Sequence, residues 1–203
     1  LMKGVGGRFS EFNMGLLHLA IIGVDINEVL DGAADMREAC VSPDVFTNPA
    51  YMYAALHTIL YRIKGKDIAI MMPFSETLKS TADWYIQMLA ESLGKKYARK
   101  VTKTQDGSEQ WSNDTGRVVH VGRTPISARG TNDLHSIQQN NIEGVNNKVV
   151  TFIRVEKFNN EIEIPAGNKD NILAGKKFSE LIQLAQEATE WALVREARPN
   201  CTI

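Results

Sequence analysis

Cysteine is nearly missing from this chain: Cys40 and Cys201 are the two in 203 residues, and no CxxC spacing occurs. A disulfide framework and a cysteine-ligated zinc site are not suggested, and reduced thiols in a cytoplasmic protein fit best. Long apolar runs are missing too. No stretch approaches the roughly 20 apolar residues of a membrane span, and the opening LMKGVGG lacks the apolar core of a signal peptide. No membrane partner is expected, and the chain reads as cytosolic. Neither sign of charge is in excess: the net charge is −1 with 23% charged residues, which argues against nucleic acid and other polyanions as partners. In so neutral a chain the cluster Lys95, Lys96, Arg99, Lys100 and Lys103 reads as a solvated surface.

Motifs with a known chemistry are also scarce. No G-x-x-x-x-G-K-[ST] phosphate loop, G-x-S-x-G nucleophile elbow or kinase glycine loop is present, which removes phosphoryl transfer and serine hydrolysis. No two histidines have metal-ligand spacing, so no metal is expected. The opening glycines Gly4, Gly6 and Gly7 have the wrong spacing for a dinucleotide fingerprint and follow no strand. On their own they permit a tight turn before an apolar helix and leave Arg8 at the junction.

What the chain does have is a 43% apolar fraction over 203 residues, enough for a sizeable core, and one compact unit is expected. The run from Met14 to Gly23 predicts a largely buried helix stopped by glycine, and INEVLDGAADMREAC a second helix with Asp25 as its cap. Pro43 and Pro49 bracket a loop before AYMYAALHTILYRIKGK, which has helical spacing up to Gly65. DIAIMMPF reads as a buried strand. Ser75 is expected to cap the next helix, with Leu78, Ala82, Tyr85 and Leu89 on one face and Gly94 as a left-handed terminus. Polar residues near 95–117 read as an inserted excursion or hairpin. RVVHVG and KVVTFIRVE are strand-like, separated by the loop RTPISARGTND and a short helix from Leu134 to Ile142. FSELIQLAQEATEWALVREA predicts a long last helix, and NCTI the start of a strand. Helices alternating with short apolar strands predict an α/β layered fold with a mainly parallel sheet.

Two places on this framework carry candidate chemistry. Gln87 and Glu91 are four apart on one helix face, with Trp84 a turn earlier, so an amide and a carboxylate face the same way. That pair suits orienting and deprotonating a polyhydroxy substrate, although the same spacing is common on a solvated helix face. His135 follows ARGTND, where Thr131 or Asp133 is a possible cap, and sits at a loop mouth that suits a proton carrier. His18, His57 and His120 lie within apolar segments and read as core or interface residues.

Three segments taken together, VGGRFS at 5–10, WYIQMLAESLGK at 84–95 and GTNDLHSIQQ at 130–139, resemble in order the motifs of the phosphoglucose isomerase family. GLLHLAIIGVDINEVLDGAADM and RPNCTI are similar to it as well, so the resemblance spans nearly the whole chain. It implies a three-layer αβα sandwich of the sugar-isomerase (SIS) type, Rossmann-like, with residues 1–203 forming most of the second of two SIS domains. The implied activity is the interconversion of glucose 6-phosphate and fructose 6-phosphate through a cis-enediol in glycolysis and gluconeogenesis, with no metal or organic cofactor. The resemblance also implies the roles. Glu91 is the catalytic base, Arg8 a cation near the reacting carbons, Gly7 and Gln87 substrate contacts, and His135 the ring-opening acid, reaching the site of the neighbouring subunit of a homodimer.

This sequence also departs from the family. The first SIS domain with its Ser/Thr-rich phosphate loop and the C-terminal Q-P-G-V-E segment with its lysine are absent, so the chain alone is expected to be inactive. Lys3 stands where an acidic residue is usual, and EFNM replaces a small apolar stretch. The alternative expectation is a non-catalytic phosphosugar-binding SIS module, which would not need Arg8, Glu91 and His135 together.

Overall fold

The computed structural model describes residues 6–12, 14–167 and 171–203, the side chains of residues 11 and 12 excepted. Lys3, Gly4, Val5 and Asn13 of the opening segments lie outside the described residues. By its contacts the chain divides into two compact units, Leu1–Gly65 and Lys66–Ile203.

In the first unit a 3-10 segment, Gly7–Phe12, leads to three helices: α1 (Gly15–Ile21), α2 (Ile26–Ala39) and α3 (Pro49–Arg62). Their ends have local causes. Gly23 follows α1 at φ +86°, a left-handed conformation in which glycine carries no side-chain penalty. The Asp25 side chain accepts from the Asn27 N–H and starts α2. Asn48 starts α3 by accepting from the Tyr51 N–H at 3.0 Å, with Pro49 next to it. Its amide donates to the Cys40 and Ser42 carbonyls, so a side chain only 1% exposed ties the end of α2 to the start of α3. His57 is buried and stacks on Tyr53 with centroids 4.0 Å apart, in keeping with the core role expected of it. The expectation of a buried α1 is corrected: Leu17, Ile21 and Ile22 are 65%, 73% and 73% exposed. Among the described residues the buried side chains of this unit are Asn48 and His57, so its helices share no core large enough to cover α1. His18 is likewise exposed, with Nδ1 on the Met14 carbonyl.

The second unit runs β1 (Ile68–Pro73), α4 (Lys79–Leu93), β2 (Lys95–Lys103), β3 (Glu109–Val121), β4 (Thr124–Ser127), α5 (Gln138–Glu143), β5 (Lys148–Ile153), α6 (Phe178–Arg195) and β6 (Asn200–Thr202). Four strands form one parallel sheet in the order β4-β1-β5-β6, with Ile70 level with Ile126 on one side and Val150 on the other. A parallel sheet buried on both faces needs continuous apolar runs, and IAIMM and VVTFI supply them. Ile70, Met72, Val150 and Phe152 pack on one face against Leu193 of α6 and Ile142 of α5. Ala69 and Met71 face the other way, onto Ala82, Tyr85, Met88 and Leu89 of α4. The result is the expected αβα sandwich. Phe74 and Phe152 stack at a tilt with centroids 5.9 Å apart, and each such fully buried side chain contributes about 1.5–3 kcal/mol.

Several local expectations are corrected. RTPISARGTND is not a plain loop but holds β4, whose Pro125 is tolerated because β4 lies at the sheet edge. RVVHVG belongs to an antiparallel hairpin, β2–β3, that takes up the whole polar insertion and extends past it to Val121. His120 is therefore exposed on a hairpin arm at φ +47°, not in a core strand. Ser75 does not cap α4: its hydroxyl lies 3.0 Å from that of Thr77, and a 3-10 turn, Glu76–Leu78, intervenes. Gly94 is extended (φ −68°, ψ 103°) because the chain passes straight from α4 into β2. The short helix expected over 134–142 is split into a 3-10 turn, Asn132–His135, and α5.

Candidate active site

Glu91 lies in the last turn of α4, three residues before the helix ends at Gly94. Its side chain is exposed and accepts from the Gln87 amide, Nε2 to Oε1 at 3.1 Å, so the i,i+4 pair read from spacing forms in the structure. Lys95 donates from Nζ to the Glu91 backbone carbonyl at 2.6 Å, closing the helix end where its carbonyls lack partners. A carboxylate so placed has one oxygen held by an amide and remains accessible to solvent. Trp84 is half-buried one turn below.

The end of α4 is set by two glycines. A Cβ on Gly94 would lie 2.8 Å from the Ala90 carbonyl oxygen, and one on Gly122, just before β4, would lie 2.9 Å from the Gly94 Cα. No spacing rule reveals such a pair, because the contact joins residues on either side of the hairpin.

His135 occupies a different place. It ends the 3-10 turn Asn132–His135 and is exposed. Neither expected cap bonds as a helix cap does. Thr131 makes no capping bond, and Asp133 instead accepts from the Arg129 N–H at 2.7 Å and from the Ser136 hydroxyl at 2.8 Å. Arg129 in turn pairs with Glu76 at 2.7 Å, which ties this loop to the beginning of α4. Lys79 foremost, and then Ser127 at the end of β4, hydrogen-bond Asp83 and hold its carboxyl below the ordinary carboxylate range.

The direction of α4 follows from these contacts. Asp83 lies beside the end of β4 at Ser127, whereas Gly94 lies beside Gly122 before its start. The helix thus runs back along β4, with Glu76 at the carboxyl edge of the sheet and Glu91 at the amino edge. Within α4, the twelve steps from Lys79 to Glu91 at about 1.5 Å each span roughly 18 Å. The structure therefore brings Gln87 and Glu91 together, and ties the loop that leads to His135 to Glu76, ahead of the other end of α4.

Gly7 and Arg8 belong to the first unit. Gly7 opens the 3-10 segment and receives the Ser10 hydroxyl on its carbonyl at 2.8 Å, and Arg8 is half-buried in the same segment. Phe9 departs from helical geometry at φ −126°, ψ 21°, so the segment bends immediately after Arg8.

A cleft of about 520 Å³ opens at the carboxyl ends of β1 and β5, lined by Ser75, Thr77, Lys157 and Phe158 among others. Glu91 is not among its lining residues. Among the described residues no three of His, Cys, Asp and Glu gather into a group that could hold a metal ion. Among them, too, no helix is long and apolar enough to cross a membrane.

Comparison with known proteins completes the picture. Residues 1–198 match the family described as phosphoglucose isomerase. A glucose-6-phosphate isomerase of Carboxydothermus hydrogenoformans is 40% identical over 204 aligned residues, covering 98% of this chain and 40% of that protein. Among solved structures, a hypothetical protein from Thermus thermophilus superimposes with a TM-score of 0.78 at 28% identity, over 98% of this chain and 44% of its own. A glucose-6-phosphate isomerase from Chlamydia trachomatis shares the fold, with a TM-score of 0.72 at 22% identity over 95% of this chain and 34% of its own. The chain spans about 40% of the length of the curated relatives it matches.

Proposed function

Because the chain belongs to the phosphoglucose isomerase family, we propose that the protein it forms part of interconverts D-glucose 6-phosphate and D-fructose 6-phosphate in the cytoplasm. In this reading the chain is most of the second SIS domain, and the first domain supplies the phosphate grip. The observation that carries the reading is the Gln87–Glu91 pair at the end of α4, in a chain that matches the family over residues 1–198.

The chemistry follows from what the substrate needs. Glu91 takes the proton from C2 of the aldose and returns it to C1, with a cis-enediolate between the two transfers in which the O2 hydroxyl proton passes to O1. Arg8, whose guanidinium stays charged, stabilises the oxyanion that develops, and the Gly7 backbone comes close to the sugar. Gln87 steadies the Glu91 carboxylate and contacts the substrate. His135 protonates the ring oxygen so that the closed sugar opens. Proton transfers and a fixed positive charge suffice for this sequence of steps, so the proposed reaction uses neither metal nor organic cofactor.

The placement of Glu91 at the far end of α4 from the Arg129–Glu76 pair that ties down the loop before His135 supports a dimeric site in which His135 comes from the partner subunit. A two-fold axis relates the two groups of one chain to those of its partner without any distortion of the fold. The test is an assay of the whole protein in deuterated water. Deuterium appearing at C2 of glucose 6-phosphate supports the isomerase, and binding of the sugar phosphate without exchange supports the non-catalytic module instead.

A further inference from the structure

We propose that Gly122 is a positioning residue for Glu91, acting through the backbone of Gly94; the proposal rests on the reading of Glu91 as the base. Three observations carry it. First, α4 ends by backbone contact. A Cβ added to Gly122 would lie 2.9 Å from the Gly94 Cα, 3.1 Å from its nitrogen and 3.1 Å from the Leu93 carbonyl oxygen. None of these atoms is the mobile end of a side chain, so nothing yields except the helix terminus or the strand.

Second, Glu91 belongs to the turn that would have to yield. Gly94 donates to the Ala90 carbonyl at 2.9 Å and Lys95 to that of Glu91 at 2.6 Å, so a push on residues 93–94 passes directly to the turn carrying the carboxylate. Third, Gly122 lies at φ +136°, where side chains are rarely accommodated. The hairpin begins immediately after Gly94 and ends immediately before Gly122, with Lys95 paired to Val121. The two glycines close its mouth, and a closer approach than any Cβ allows holds the end of α4 against the start of β4.

The consequence is catalytic because a proton in flight between two carbons tolerates little misplacement of its base. Ordinary contact begins near 3.4 Å, so a methyl at Gly122 is about half an ångström too close. A displacement of about 1 Å costs ~100-fold in rate, so half of that corresponds to roughly tenfold.

The experiment uses the whole protein with four variants, measuring kcat, KM and thermal midpoint for each. Gly122→Ala presses on the end of α4 from the strand side, and Gly94→Ala from within the helix, where its Cβ would lie 2.8 Å from the Ala90 carbonyl oxygen; Gly94 has an ordinary φ of −68°, so the second variant carries no left-handed penalty. Both are expected to lower kcat about tenfold with KM within about twofold. Gly107→Ala is the control: it sits at φ +85° at the hairpin tip with nothing within 4 Å, so it strains backbone without touching α4 and is expected to keep kcat. Wild-type kcat in Gly94→Ala overturns the proposal, whether or not Gly122→Ala folds. So does a kcat that falls only in proportion to the folded fraction, or an equal fall in Gly107→Ala. Glu91→Gln separates the two ideas. Retained exchange in that variant removes the base itself, whereas lost exchange with normal kcat in both glycine variants removes only the positioning role.

Discussion

Two inactive variants should restore each other's activity if the site is shared between subunits. Glu91 stands in the last turn of α4, whereas the loop before His135 is tied by the Arg129–Glu76 pair to the chain just ahead of that helix. Glu91→Gln and His135→Ala homodimers each lack one essential group at both sites. In a heterodimer one site loses both groups and the other keeps Glu91 from one chain and His135 from its partner. Equal amounts of the two variants, unfolded together and reassembled at random, give heterodimers as about half of all dimers, each with one of two sites intact. Activity should therefore return to about a quarter of the wild-type value. The assay is glucose 6-phosphate formation from fructose 6-phosphate, with differently tagged subunits to confirm that heterodimers form. Heterodimers present at the random fraction with no recovered activity would refute the shared site, and would require His135 and Glu91 to serve a single chain.

The other predictions concern the fold. Phe152→Ala removes a fully buried ring packed against Phe74 and should cost about 3–5 kcal/mol in urea unfolding; a loss under 1 kcal/mol would mean that this face of the sheet is not the core. At the hairpin tip the Thr104 hydroxyl foremost, then the Ser108 N–H and hydroxyl, hold the Asp106 carboxyl at about 2, against an ordinary 3.8. A carboxylate lowered on folding stabilises the tip fully above its unfolded value, and that contribution disappears as pH falls through about 2. An NMR titration of Asp106 should thus show a midpoint near 2 that moves back towards 3.8 in Thr104→Val. A midpoint near 3.8 in the unmodified protein would rule out the bonded tip.

Much of the fold was legible because its signals are local. β1 and β5 read as continuous apolar runs, α2 and α3 as helically spaced stretches, and Asp25 as a cap. β4 is not legible in the sequence because it is four residues long, contains Pro125 and is held by pairing with β1, a partner that no window of sequence contains. Ser75 looked like a cap by residue type, but its hydroxyl found Thr77 first. The same division runs through the site. Gln87 and Glu91 are joined by a helical spacing, so their hydrogen bond could be foreseen. Arg8 gains its candidate role only from the family motif around it, whereas His135 is also marked by its place at a loop mouth. Nothing in the order of residues reveals that Gly94 and Gly122 touch, or that Arg129 ties the loop before His135 to Glu76.

The central claim is that Glu91 moves the proton. In the whole protein, Glu91→Gln keeps the shape and the hydrogen-bonding partner while removing the basic oxygen. Exchange of the C2 proton of glucose 6-phosphate with deuterated solvent, followed by NMR under conditions where sugar-phosphate binding is confirmed, reads that step alone. The account predicts that exchange disappears in Glu91→Gln while binding persists. Exchange at the wild-type rate would contradict it and assign the proton transfer to another group.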